Sequence, residues 1–422
     1  MNTEGDKVGV ITLGCARNLV DSQEILGRMQ KQGHLIVDAD QADTVIVNTC
    51  SFIEDARKES VDVILDLIEL KKQGKIKKIV IAGCLSERYG RELADEFTEV
   101  DEIVGIPEFF KTGVPDQVYL TPRHFAYVKI CESCYNQCSF CAIPGIKGKF
   151  SSREVEAVVS EVADLDQRGT KEINIIGQDI TAYGIDLYRE KSLARLLRET
   201  VKVTKNIEWI RLLYAFPSHI TDELLEVMAI EEKLCKYIDI PLQHISDHLL
   251  QSMNRNILEQ ETRDLVHKIR EKIPTVSLRT AFIVGLPGET EKDFQELLDF
   301  VREFRFEKMG AFIYSREEGT PAYDMQDHVP QEIKEARFAA LMQEQQQISQ
   351  ERQKQFIGKT LKVLIDEKQE SEENVYIGRS EYDAPDVDGA VYIQTDQELN
   401  VGSFANVKIT DAYEYDLVGE PV

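Results

Sequence analysis

A chain of 422 residues is longer than one hydrophobic core usually supports, and with 42% apolar and 30% charged side chains it is expected to fold as two or three soluble domains. Its net charge of -25 argues against a broad surface for phosphate backbones, which depends on clustered Lys and Arg. The opening residues "MNTEGDK" are polar, with no apolar run behind them long enough for a signal peptide or a membrane span, so a cytoplasmic protein without a membrane partner is expected.

Three early segments share one plan. "VGVITLGC" ends at Cys15, "DTVIVNTC" at Cys50 and "KKIVIAGC" at Cys84, each an apolar strand-like run followed by a helical stretch such as "DSQEILGRMQKQG". Short β-rich runs alternating with helices predict βαβ units on a parallel, Rossmann-like sheet. Ligands gather at the carboxyl ends of such strands, so the three thiols, about 35 residues apart, are expected along one edge. The alternative for each is a buried free cysteine. In a reducing cytosol the eight cysteines read as ligands or catalytic groups before disulfides.

From residue 125 a longer alternation begins, with strand candidates "YVKI" (127 to 130), "EINIIG" (172 to 177), "WIRLLYA" (209 to 215), "YIDIPLQ" (237 to 243), "LRTAFIVG" (278 to 285) and "KMGAFIYS" (308 to 315). Amphipathic stretches such as "EKDFQELLDFVREF" separate them. Six strand-helix units fall short of the eight of a closed barrel and predict an open, partial (βα)6 barrel. Residues 331 to about 355 read as a Gln-rich helical connector. Beyond it, "KTLKVLIDE", "NVYIGRS", "GAVYIQT" and "FANVKITDAYEYDLVG" predict a small β-barrel. The chain is therefore expected to divide at 1–124, 125–354 and 355–422, an α/β multidomain architecture. The last division is acidic, with 15 Asp or Glu against 5 Lys or Arg.

Residues 131 to 141, "CESCYNQCSFC", fall in the loop after the first barrel strand. Two CxxC knuckles on one zinc would leave only Tyr135, Asn136 and Gln137 between the pairs, a tight loop for a tetrahedron. The CxxxCxxC spacing of Cys134, Cys138 and Cys141 suits an iron-sulfur cluster, with one iron left open. CxxxCxxC in that position resembles the radical S-adenosylmethionine (SAM) superfamily. The resemblance implies a 4Fe-4S cluster whose open iron is chelated by SAM, and reductive cleavage of SAM to a 5'-deoxyadenosyl radical. It also implies cofactor contacts. Phe140 stands where the superfamily often places an aromatic near the adenine, or else is a core aromatic under the loop. Gln178 and Asp179, in "IIGQDITAYG", stand where the SAM amino group is usually met. Gly285 and Gly288, in "FIVGLPGETEKDF", resemble the SAM-contacting glycine motif, although Thr290 with Asp293 would also simply cap the next helix. Gln243 and Arg279, near inner strand ends, are further candidates. "QHISDH" puts His244 and His248 four apart on a possible helix face, without a third metal ligand nearby.

Three cysteines in an α/β domain, CxxxCxxC in a partial barrel and a small terminal β-domain together resemble the methylthiotransferases. Those proteins join an amino-terminal methylthiotransferase domain, a radical-SAM barrel and a TRAM domain, and the resemblance covers essentially the whole chain. It implies a second, auxiliary 4Fe-4S cluster on Cys15, Cys50 and Cys84, two SAM molecules in different roles, and a low-potential donor such as flavodoxin or ferredoxin. Cys131 and Cys235 are then spare thiols. One branch of the family modifies tRNA adenosine; the other methylthiolates the β-carbon of an aspartate in small-subunit ribosomal protein twelve. "GCARNLVDSQE", "NTCSFIEDARKES" and "IGRSEYDAPDVDGAVYI" resemble the ribosomal-protein branch, with Arg17 replacing its usual Lys, Cys131 standing for its Ser and Ser133 for its Gly. The acidic terminal domain suits a basic ribosomal protein better than tRNA, although acidity also merely aids solubility. The competing expectations are the tRNA branch and a non-catalytic iron-sulfur or zinc scaffold in ribosome assembly.

Overall fold

The computed structural model describes residues 6–109, 111–370 and 374–422. None of its described helices is long and apolar enough to cross a membrane. The first unit runs β1 (Lys7–Thr12), α1 (Ala16–Lys31), β2 (Leu35–Ile36), β3 (Thr44–Thr49), α2 (Glu54–Lys72), β4 (Lys78–Gly83), α3 (Cys84–Glu96) and β5 (Glu102–Ile103). Its five strands form a parallel sheet of order β2-β1-β3-β4-β5. Val45, Val47, Ile79 and Ile81 pack one face against Ile64, Leu67 and Ile68 of α2, as the β-branched runs predict. The two edge strands are only two residues long, too short to register as apolar runs.

The second unit continues with β6 (Phe125–Lys129), β7 (Cys131–Glu132), α4 (Ile143–Lys147), β8 (Ser151–Ser152), α5 (Val155–Gln167), β9 (Glu172–Ile176), α6 (Ile185–Tyr188), α7 (Leu193–Val203), β10 (Trp209–Leu212), α8 (Asp222–Ile230), β11 (Leu234–Asp239), α9 (Asp247–Ser252), α10 (Glu259–Lys272), β12 (Ser277–Val284), α11 (Glu291–Phe304) and β13 (Lys308–Ile313). Strands β6, β9, β10, β11, β12 and β13 lie side by side in chain order, all parallel, as an open six-stranded sheet. Alternation along each strand sends Ala126, Val128, Ile173, Ile175 and Ile210 outward to the helices. It sends Phe125, Tyr127, Ile176, Trp209 and Tyr237 to the concave side.

After the connector α12 (Gln331–Lys354), strands β14 (Thr360–Lys368), β15 (Val375–Ser380), β16 (Val391–Gln394), β17 (Phe404–Ala412) and β18 (Leu417–Pro421) close a barrel of order β14-β15-β16-β18-β17. The last expected strand segment is thus two strands, because Tyr413 donates its N–H to the carbonyl of Asp416 at 2.9 Å and turns the chain.

This small barrel closes the open side of the large one. Leu364 and Ala384 join Phe125, Tyr127 and Tyr237 in one apolar cluster. The hydroxyls of Tyr127 and Tyr237 donate to Asp386 and Asp388 at 2.7 Å each, Lys308 pairs with Asp383 at 2.6 Å, and Arg379 pairs with Glu172 of β9 at 2.6 Å and with Asp366 at 2.8 Å. The acidic excess of the terminal domain therefore has a structural use that the charge count does not reveal. Four of its 15 acids hold it to the barrel or its own strands, which weakens the reading of that charge as a surface for a basic partner.

Candidate active site

Cys15, Cys50 and Cys84 follow β1, β3 and β4, three adjacent strands, so the sheet brings them to one edge. Two glycines make the close approach possible. Gly14 has φ +91, and a Cβ on it would stand 2.9 Å from Cys50 Sγ; Gly83 has φ +95, and a Cβ there would meet the Thr49 carbonyl oxygen at 2.7 Å. Asn18 of α1 stitches the three ends together. Its Nδ2 donates to the carbonyls of Leu13 at 2.8 Å and Thr49 at 3.1 Å, and its Oδ1 lies 3.9 Å from Cys84 Sγ. Burial pushes the Cys84 thiol up to about 12 and raises Cys50 as well. Burial is the largest influence on Cys15 too, but the Arg17 guanidinium, the backbone N–H groups of Asn18 and Arg17 and the Lys147 ammonium together outweigh it and hold that thiol below its ordinary value.

The second set lies on the loop between β7 and α4. Asn136 Nδ2 donates to Cys134 Sγ at 3.7 Å and to Asp179 Oδ2 at 2.7 Å; Arg255 Nη1 donates to Cys138 Sγ at 3.7 Å; the Cys141 N–H donates to the Cys138 carbonyl at 3.1 Å. Burial raises the Cys134 thiol to about 11 and the Cys141 thiol to about 12. Both sets consist mainly of thiols that the protein alone keeps protonated, and a bound metal would deprotonate them. Among the described residues no three Cys, His, Asp or Glu side chains converge closely enough for a single ion. Three thiols per set would suit separate irons of a cluster, each taking one thiolate.

The two sets face one another. Cys84 packs with Ala142, the neighbour of Cys141, and with Ile146. Arg17 crosses the same gap: its Nη1 donates to the Gly177 carbonyl at 3.0 Å and its guanidinium lies 4.3 Å from the centre of the Tyr214 ring. Two ionic anchors hold the first unit here. Asp21 and Glu132 pair with both Lys129 and Lys147, all four nearly excluded from solvent, and the lysines outweigh burial to keep Glu132 well below the usual carboxylate range. On the far edge Glu317 takes Arg57 of α2 and Arg88 of α3. In the loops that follow β7, β10 and β11, the non-glycine residues Ser133, Tyr214 and Gln243 have positive φ, at 62°, 70° and 72°. Such strain collects where a site is held to shape.

The remaining candidates divide by what already occupies them. Gln178 Nε2 donates to Glu132 at 3.1 Å, while its Oε1 is buried with no partner. Asp179 is fully engaged: Oδ1 caps the turn at Thr181 and Ala182, and Oδ2 meets Asn136 and His219. Arg279 pairs with Asp239 at 3.0 Å and Asp388 at 3.5 Å. Gln243 bridges backbone to backbone with Ala281 and Ile283. Gly285 and Gly288 have φ +80 and +83; the side chain of Lys334 from α12 backs the first, and the second has open space except for His248. Thr290 and Asp293 do form a capping box on α11. Phe140 packs against Leu249, Met253 and Leu286.

The two histidines do not share a helix face, because α9 begins at Asp247; His244 is buried before it and His248 is exposed on it. Cys131 is fully buried in β7, its Sγ donating to the Asp179 carbonyl at 3.5 Å, and Cys235 is buried in β11. Two clefts, of about 470 Å³ beside Ile46 and Val80 and about 440 Å³ beside Gln117 and Arg168, are lined by none of the cysteines. Asn18, Arg255 and Lys147 escaped sequence reasoning; only Asn18, inside the quoted "GCARNL", carried a local signal.

Residues 7–105 match the Uncharacterized protein family UPF0004, residues 128–301 the Radical SAM superfamily and residues 357–422 the TRAM domain. The chain is 45% identical to the ribosomal protein uS12 methylthiotransferase RimO of Syntrophotalea carbinolica, covering 100% of this chain and 98% of that one. The RimO proteins of Desulfitobacterium hafniense and Geobacter sulfurreducens are 42% and 44% identical, over 100% of this chain and 100% and 99% of theirs. In fold it is similar to the radical SAM methyltransferase TsrM from Kitasatospora setae (TM-score 0.52, 17% identity, 75% of each chain). It is also similar to the cobalamin-dependent radical enzyme OxsB (TM-score 0.53, 12% identity, 81% of this chain and 56% of that one). Three matched domains in this order and identity of this degree over the whole length place the chain in the RimO family of ribosomal protein uS12 methylthiotransferases.

Proposed function

We propose that the chain attaches a methylthio group to the β-carbon of an aspartate in ribosomal protein uS12, with Cys134, Cys138 and Cys141 holding a SAM-binding 4Fe-4S cluster and Cys15, Cys50 and Cys84 holding a second, auxiliary one. The observation that carries this reading is the packing of Cys84 against Ala142, which sets the strand-end thiols across from the CxxxCxxC loop. Each set offers three thiols, which as thiolates would hold three irons of a four-iron cluster and would leave the fourth for a non-protein ligand. Bound there, the clusters and two SAM molecules supply hydrogen abstraction and the delivery of sulfur and methyl.

The chain's own residues position and shield. Asn136 orients Cys134 through Asp179, Arg17 places a cation between the sets, and the unpartnered Gln178 Oε1 is the acceptor best suited to the SAM amino group. Gly288 leaves open space through which a ligand would reach the backbone, Lys334 backs Gly285, and Phe140 packs against Leu286 between them; Gln243, Asp179 and Arg279 act through the loops they fix, since Asp179 and Arg279 have their polar atoms taken. Phe52 and Tyr135, exposed beside Cys50 and Cys134, offer apolar contact to an incoming loop. A soluble one-electron donor of the flavodoxin or ferredoxin class would reduce the clusters in the cytoplasm.

The test is anaerobic reconstitution followed by incubation with SAM, a reductant, uS12 and tRNA. Mass spectrometry should find one methylthio group on a single uS12 aspartate and none on tRNA. Methylthioadenosine in tRNA with unmodified uS12, or bound zinc without SAM cleavage, would overturn the reading.

A further inference from the structure

Arg255 is buried, with 6% of its surface exposed, yet among the described residues its hydrogen bonds go to a carbonyl and a thiol and none to a carboxylate. Its Nη2 donates to the Pro241 carbonyl at 2.6 Å, its guanidinium lies 4.0 Å from the centre of the Phe216 ring, its Nε has no partner, and its Nη1 reaches Cys138 Sγ at 3.7 Å. A buried guanidinium without an acid is costly, because removal from water is repaid only by an opposite charge. Of the groups it touches among the described residues, the Pro241 carbonyl, the Phe216 ring and the Cys138 sulfur, only the sulfur can become an anion.

The contact is built. Ser139 donates its N–H to the carbonyl of Met253 at 3.0 Å and its hydroxyl to the carbonyl of Ser252 at 2.7 Å, while Asn254 Nδ2 donates to the carbonyl of Gln137 at 2.7 Å. The end of α9 thus grips the cysteine loop on both sides of Cys138 and fixes Arg255 against it. Among the described residues, Cys138 is the thiol of this loop that accepts a hydrogen bond from a cationic side chain, where Cys134 accepts one from the neutral Asn136.

We propose that Arg255 is a positioning residue that sets the redox poise of the cluster held by Cys134, Cys138 and Cys141, favouring its one-electron-reduced state. The inference rests on the cluster assignment made above. Reduction adds one electron, taken from the low-potential donor, and leaves the cluster and its thiolates one charge more negative. A guanidinium donating to a ligand sulfur stabilises that added charge, and hydrogen bonds to ligand sulfurs are a recognised control on cluster potential.

The experiment is an anaerobic redox titration of the reconstituted full chain, with the reduced cluster followed by electron paramagnetic resonance. It compares wild type with Arg255→Gln, Arg255→Lys and Asn254→Gly, in protein whose Cys15, Cys50 and Cys84 are alanine so that one signal is read. Arg255→Gln should lower the ratio of reduced to oxidised cluster at fixed potential by about tenfold, equivalent to about 59 mV for one electron. Arg255→Lys should show a smaller shift, and Asn254→Gly, which loosens the same grip without removing charge, should show little. An unchanged midpoint in Arg255→Gln, or an equal shift in Asn254→Gly, would overturn the proposal. Absence of iron from the parent protein would instead refute the cluster assignment, and if Arg255→Gln fails to assemble, Arg255→Lys still decides.

Discussion

The two cysteine sets are assembled by opposite routes. Cys134, Cys138 and Cys141 lie on one loop, braced by Asn136, Asn254 and Arg255. Cys15, Cys50 and Cys84 come from three strand ends and meet only if the sheet forms and Asn18 ties Leu13 and Thr49 together. A loop can present its ligands whenever its own barrel is folded; a set gathered by topology depends on the packing of a whole domain. Damage to the first unit should therefore empty the strand-end set and spare the loop.

The largest expected effect divides the two sets by activity. Changing Cys134, Cys138 and Cys141 to alanine should abolish SAM cleavage and methylthiolation together. Changing Cys15, Cys50 and Cys84 should abolish methylthiolation alone, with 5'-deoxyadenosine still formed; chromatography of the products reads both. Next comes Asp21→Asn, which leaves Lys129 and Lys147 buried against a single remaining acid. Breaking a buried ionic set costs about 3–5 kcal/mol, so denaturant unfolding should show that loss, with the first unit melting early.

Asn18→Ala should be milder, about 1–3 kcal/mol for two carbonyls left without their donor. It is the sharper probe of the comparison, since iron analysis should show the strand-end set depleted while reductive SAM cleavage persists. The smallest effect is expected at Cys131→Ser. That thiol already donates to the Asp179 carbonyl, and a hydroxyl can do the same, so stability should fall by about 1 kcal/mol or less, with both clusters and activity kept.

Much of this was legible because the signals are local. The apolar runs before Cys15, Cys50 and Cys84 specify β1, β3 and β4, and the spacing of Cys134, Cys138 and Cys141 confines those three thiols to one loop without any fold. What escaped is long-range. Helix α1 buries Asn18, Asp21, Ser22, Gln23 and Glu24, a polar face that apolar periodicity assigns to solvent, because it lies between the sheet and the charged mouth of the barrel. Arg255 follows a short helix far from Cys138 in sequence, so nothing nearby marks it. The acids of the terminal domain looked like surface charge until Tyr127, Tyr237 and Lys308 were found beneath them.

The central claim, that the chain holds two separate cluster sites of different construction, is tested most directly by Mössbauer spectroscopy of iron-57-reconstituted wild type and of the two triple-alanine proteins. Wild type should show about eight irons in two 4Fe-4S clusters, and each triple variant about four in one. Loss of all iron in either variant, or one cluster in wild type that only the Cys134, Cys138 and Cys141 change removes, would contradict it.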